Sequence, residues 1–245
     1  MVMQIKKIYL YLAAIAIAFL IHGIKYAIKR WRKVPDTPVY TEKEALAFER
    51  HLEKNFGPVK SVFHELLPEE MHIDVYVIEP TEKFPCYRLF TCGMGAKKME
   101  LPEQAKGQRP ERIELMLSLP ADWKFDEKSM ESDNFYWPVG LLKYLARFPW
   151  NESTWLGYGH TIPLQKFAEN TELSGVLLNY PEHYPFEIGH IDFPRGTVQF
   201  MNVVPLYNEE MDYKLNHGVE ALIELMGNEL YAPINPQRKN FATDK

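Results

Sequence analysis

The stretch MHIDVYVIEP, Met71 to Pro80, decides the fold. Met71, Ile73, Val75 and Val77 fall on one side of an extended chain, and His72, Asp74, Tyr76 and Ile78 on the other. Period-two alternation of this kind is a strand with one fully apolar face and one mixed face. Downstream, FPCYRLFTCGMG reads as a second strand ending in a Gly-Met-Gly turn. ERIELMLSLP, Glu111 to Pro120, alternates again: Ile113, Leu115, Leu117 and Leu119 are predicted inward, Arg112, Glu114, Met116 and Ser118 outward. LSGVLLNYP and TVQFMNVVPL supply two more strands.

Helical periodicity frames these strands. In TEKEALAFERHLEKNFGP, Thr41 and Glu44 form a capping box, Ala45, Phe48, Leu52 and Phe56 recur at helical spacing, and Gly57–Pro58 stops the helix. WPVGLLKYLARFPW, Trp137 to Trp150, is a short helix with Pro138 in its first turn. NEEMDYKLNHGVEALIELMGNEL is one or two helices split near His217–Gly218. No repeat or low-complexity tract divides residues 40–232. The expected architecture is an α/β (α+β) domain over residues 41–232, a mixed β-sheet flanked by helices. Residues 35–40 are a linker, and the tail 233–245 is expected to be loose.

Residues 1–34 read differently. Ile8 to Ile24, IYLYLAAIAIAFLIHGI, is apolar apart from His22. As a helix it would rise about 25 Å, enough for a short membrane span with Lys7 and Lys25 reaching outward. The A-x-A patterns lie inside the run rather than after it, which disfavours a cleaved signal peptide. Five basic residues from Lys25 to Lys33 follow the run. The positive-inside bias therefore predicts one transmembrane helix with the domain on the cytoplasmic side of the inner membrane.

Composition narrows the function. The 245 residues carry a net charge of −5. Seven basic residues lie between Lys6 and Lys33, so the remainder is more acidic still. That excludes the basic footprint of a nucleic-acid binder and favours a basic partner. The two cysteines, Cys86 and Cys92, end one extended run about 20 Å long, too far apart for a disulfide.

Two groups of residues carry chemistry. His72 and Asp74 lie on one strand face about 6.5 Å apart. With Glu114 on a neighbouring strand they would make a three-ligand or acid–base group; the alternative is a hydrogen-bonded polar cluster. In WNESTWLGYGHTIPL, Trp150 to Leu164, the glycines match neither GxGxxG nor a Walker loop. His160 has no nucleophile elbow to serve. Met94, Met99, Met116, Tyr136, Trp137, Trp155 and Tyr158 suit either an adaptable surface or core packing.

Taken in order, HIDVYVIEP, TCGMGAKKMELP, RIELMLSLPADW, WPVGLLKYLARFP, TWLGYGHTIP, LLNYP and VVPLYNEEMDY resemble the suppressor-of-fused domain family, across most of residues 41–230. The resemblance implies a mixed α/β fold and a protein-binding role without catalytic residues. The animal proteins hold a transcription factor through a peptide added to a sheet. The shorter bacterial type, which this chain resembles, is proposed to neutralise toxins as immunity proteins. It also implies partner binding near Asp74, with His72 and Tyr76 beside it, and makes GYGH a structural turn anchored by Trp155. The expected partner surface is His72, Asp74, Tyr76, Glu114, Trp155, Tyr158 and His160, with no cofactor and no metal. The expected function is a membrane-tethered module that binds another protein or extended peptide. The alternative is a hydrolase using His160 or the His72/Asp74/Glu114 group.

Overall fold

The computed structural model describes residues 39–65, 71–181 and 186–243. The apolar run 8–24, and with it the expected anchor, lies outside them. No helix among the described residues is long and apolar enough to cross a membrane.

Helix α1 (Glu42–Asn55) starts at the expected capping box, with Thr41 and Glu44 bonded reciprocally. Four antiparallel strands follow: β1 (Val59–Phe63), β2 (Asp74–Ile78), β3 (Cys86–Cys92) and β4 (Ile113–Pro120). After the one-turn α2 (Glu127–Met130) comes α3 (Asp133–Asn151). Strands β5 (Thr161–Pro163), β6 (Gly175–Asn179), β7 (His190–Phe193) and β8 (Gly196–Leu206) complete an eight-stranded sheet. Helices α4 (Asn208–His217) and α5 (Val219–Met226) close the chain. The fold is therefore mixed α+β, a sheet flanked by helices.

The strand order is β1-β2-β3-β4-β8-β6-β5, with β7 paired to the first half of β8. The β4–β8 pairing is parallel. β1 and β5 are the two ends of this order, so the regions they carry stand about 29 Å apart across six strand spacings.

Both faces of the sheet are covered. Val75, Val77, Leu115, Leu117, Met201 and Val203 pack with Val139, Leu142 and Leu145 of α3 in one cluster. On the other face Tyr76, Ile78, Phe90, Met116 and Phe200 pack under Phe48 and Leu52 of α1. Beyond them, Leu177, Val204 and Leu206 pack under Met211, Leu222 and Met226. Buried Asn202 lies between these two clusters and donates to the Leu230 carbonyl at 2.9 Å. This corrects the outward assignment in β4. Arg112, Glu114 and Met116 do point away from Leu115 and Leu117, but into a second core.

Other boundaries shift for local reasons. α3 starts at Asp133, because Ser132 caps it, and runs past Pro149. Pro138 thus sits in the second turn. The final helices divide at Gly218, whose φ of 91° ends α4. The segment after Pro233 is held rather than loose. Ile234 N–H donates to the Ser118 carbonyl at 2.9 Å. Buried Arg238 reaches back to Glu210 of α4 at 2.6 Å.

Candidate functional site

The expected surface resolves into three separate places. The first is the corner where β1 runs out and β2 begins. Register Phe63↔Val75 carries His64 across from Asp74. His64 Nδ1 lies 3.1 Å from Asp74 Oδ2, and His72 Nε2 lies 3.1 Å from Asp74 Oδ1. The Glu65 N–H donates to Asp74 Oδ1 at 3.0 Å. Lys143 of α3 donates to the His64 carbonyl at 3.1 Å. Burial holds the Lys143 ammonium below its ordinary pKa, against the pull of Glu65 and Asp74. Arg147 pairs with Glu65 and donates to the Met71 carbonyl, fixing the entry to β2. Sequence reasoning found His72 and Asp74 here but missed His64. The signal was its position: an imidazole at the end of VKSVF, which pairs with VYVI. Tyr76 is not at this surface. It is buried edge-on to Phe48, and burial lifts its phenol far above the usual range.

The second place is Glu114, fully enclosed. Its Oε1 accepts from Tyr40 Oη–H, Gly93 N–H and Gly95 N–H, each at 2.9 Å, and Oε2 meets Thr91 Oγ1 at 2.5 Å. Burial pushes the carboxyl up to about 7 against the pull of those donors. Burial and Glu114 in turn hold Tyr40 well above its ordinary value. The Gly-Met-Gly turn is thus folded around this carboxylate. Gly93 has φ of 130°, and a Cβ there would lie 2.0 Å from the His72 carbonyl oxygen. A Cβ on Gly95 would lie 2.5 Å from Tyr40 Oη. Arg112 binds the Gly95 and Ala96 carbonyls at 2.9 and 2.8 Å. Arg195, paired with Glu44, binds Ala96 too. Glu114 therefore does not join His72 and Asp74, and the three-ligand group expected from it is not assembled.

The third place is the loop before β5, at the opposite edge. Gly159 N–H donates to Leu178 O at 2.8 Å and Leu178 N–H to His160 O at 2.9 Å, so the loop extends the β5–β6 ladder. The His160 ring lies 4.3 Å from that of Trp155, and Tyr158 stacks on Tyr180 at 5.4 Å. A Cβ at Gly157 would strike Trp155 at 2.7 Å. Burial holds the His160 imidazole below its ordinary value, with the Trp155 backbone pulling the other way. GYGH is a packed turn, with Trp155 against the core. Met94, Met99, Met116 and Trp137 are core as well. Of the two expected catalytic groups, the His72/Asp74/Glu114 group keeps its His72–Asp74 pair and loses Glu114, and His160 stands apart from it at the opposite edge, packed against Trp155.

A mostly apolar groove of about 640 Å³ separates α3 from the segment after β5. Tyr136, Gly140 and Tyr144, at helical spacing, form one wall, with Leu164 and Phe167 opposite. None of the seven expected residues lines it.

The family described as Suppressor of fused protein (SUFU) matches residues 69–239. The chain belongs to the suppressor-of-fused family. An uncharacterized protein of Ureaplasma parvum is 24% identical over 208 residues, covering 82% of this chain and 97% of its own. Among solved structures, the suppressor-of-fused homolog from Neisseria gonorrhoeae superposes with TM-score 0.58 at 17% identity, over 82% of this chain and all of its own. A Sufu–Fu complex superposes with TM-score 0.56 at 20% identity, over 80% of this chain and 91% of that one. These likenesses concern the fold. In this suppressor-of-fused chain, both TCGMG and RIELM converge on Glu114.

Proposed function

We propose that this chain is a protein-binding module that takes an extended segment of its partner along the β1 edge, next to His72 and Asp74. The observation carrying this reading is the sheet's edge structure, in a chain of the suppressor-of-fused family. β1 is a five-residue edge, and among the described residues no strand pairs with its outer side. The opposite edge, β5, has three residues and ends in Pro163, which lacks an N–H. Strand addition needs a row of unpaired backbone groups, and β1 offers the longer one. Asp74 and the imidazoles at its end supply polar recognition. A solved relative is itself a complex, named Sufu–Fu, which supports binding of other proteins as the general role.

The finer reading adds three elements. The acidity of the chain beyond its basic N-terminal segment favours a basic partner. A toxin held in check by an immunity protein is one partner of that kind. Residues 8–24 tether the module to the inner membrane, with the domain in the cytoplasm. Affinity purification from membranes, with the full-length chain and with a chain lacking residues 1–34 as baits, tests the reading. One stoichiometric partner retained by both, and weakened by Asp74→Ala, supports it. A partner whose binding ignores Asp74→Ala and charge substitutions on β1 overturns the assignment of the edge. Protease protection of residues 41–243 in intact spheroplasts tests the tether's orientation.

A further inference from the structure

The geometry points to a divalent transition-metal site made by His64, His72 and Asp74 at the β1–β2 corner. One ligand atom from each of the three lies within 4.8 Å of the other two. Each imidazole stands 3.1 Å from its own carboxylate oxygen, His64 Nδ1 from Asp74 Oδ2 and His72 Nε2 from Asp74 Oδ1. Around a tetrahedral ion with bonds of about 2.1 Å, ligand atoms stand about 3.4 Å apart. The corner is therefore close to metal-binding geometry, and small rotations of the two exposed imidazoles complete it. Two imidazoles and a carboxylate are the borderline donor set that zinc and its first-row neighbours take, rather than the all-oxygen set of calcium or magnesium.

Three further features favour a site over a chance cluster. Its frame is held: the His64 carbonyl by Lys143, the His72 carbonyl in close approach to Gly93, and the Asp74 side chain by the Glu65 N–H at 3.0 Å. That N–H is the outer-shell partner that orients a ligating carboxylate. Its access is graded: side-chain exposure is 13% for Asp74, 45% for His72 and 64% for His64, so an ion enters from solvent onto a carboxylate already set. Its ligands sit where two paired strands meet their ends, His64 just after β1 and His72 and Asp74 at the entry to β2, so binding ties the end of β1 to β2. A three-ligand site also leaves one coordination position for water or a partner's side chain. The inference concerns the ion alone and stands whether or not the β1 edge binds a partner.

The test is titration of the untagged full-length chain, stripped with chelator and dialysed, with zinc by calorimetry and cobalt by visible absorption. One equivalent of zinc is expected, with the intense d–d bands of four-coordinate cobalt. His64→Ala, His72→Ala and Asp74→Asn are each expected to weaken zinc binding at least tenfold, with circular dichroism unchanged. Absence of a stoichiometric zinc isotherm overturns the proposal. So does an isotherm that all three variants leave intact, which would place the ion elsewhere. Because His64 and His72 are exposed, their variants keep the test valid even if Asp74→Asn perturbs folding.

Discussion

Asp74 and Glu114 lie on the same face of the sheet, in one cross-strand row with Cys92 between them, about 10 Å apart at two strand spacings. Their surroundings are opposite. Glu114 takes its hydrogen bonds from Tyr40, Thr91, Gly93 and Gly95, all within its own chain, and no water reaches it. Asp74 is met by two imidazoles that are themselves largely open to solvent. Even Cys92 feels both: burial raises its thiol, and each carboxylate adds to the rise. A carboxylate whose acceptor capacity is filled internally organises a turn. One that shares its oxygens with exposed, exchangeable donors can offer them to something else.

The contrast breaks most visibly at Gly93. A methyl group there meets the His72 carbonyl oxygen at 2.0 Å, on a residue whose φ of 130° already disfavours side chains. Gly93→Ala must move backbone that serves both the Glu114 nest and the His72 corner. The expected loss is about 3 kcal/mol or more, a fall in Tm of roughly 10 °C. Thermal unfolding followed by circular dichroism reads it. A fall of under 3 °C would mean that the turn is not locked around Glu114.

Next in size is the pH response of Glu114. Its folded pKa, about 7, stands above the ordinary 4.5. Folding therefore favours the protonated form, and the associated stability is full at low pH. It is lost as pH rises from about 4.5 through 7, by about 3 kcal/mol in all. Glu114→Gln keeps the side chain neutral at every pH in nearly the same shape. Denaturant midpoints between pH 5 and 8 should fall in the parent and stay flat in Glu114→Gln. Parallel curves would show that another group carries the slope.

How much of this was legible in the sequence depends on range. Alternation separated the two faces of β2 and β4 correctly, because period two is a local property. It could not show that α1 covers the second face, so Glu114 read as a surface group. β1 was missed because VKSVF has no clean alternation and slips register between Val59 and Ser61. With it went His64, whose nearness to Asp74 exists only once β1 pairs with β2. The anchoring of the tail by Arg238 and Glu210 joins residues 28 apart with no periodic signal. The GYGH turn was legible, because glycine beside tryptophan and histidine is local turn chemistry. Of the 640 Å³ groove the sequence showed Tyr136 and Trp137 as candidate surface residues but not Tyr144, because the helix read as starting at Trp137 leaves Tyr136 off its face.

Asp74→Ala sharpens the comparison from the other side. It removes the acceptor for the Glu65 N–H and for two imidazoles, but the site is solvated, so the stability loss should be about 1 kcal/mol. Glu114→Ala leaves two backbone N–H groups and the Tyr40 hydroxyl buried without acceptors, and should cost several times as much. Urea midpoints of the pair measure the ratio directly. Equal losses would mean that the Asp74 corner is as structural as the Glu114 pocket.

The smallest expected effect falls on His64. Its side chain is 64% exposed, and among the described residues it pairs with a carboxylate that also meets His72 and the Glu65 N–H. His64→Ala should change stability by less than about 0.5 kcal/mol in metal-free buffer, within the range of exposed ion pairs. The same substitution should abolish any rise in Tm that zinc gives the parent, because an ion bound to the folded chain alone stabilises it in proportion to its affinity. A residue that matters little without zinc and decisively with it belongs to a ligand site. If His64→Ala costs as much in chelator as Gly93→Ala, His64 is a structural residue and the corner belongs with the Glu114 pocket.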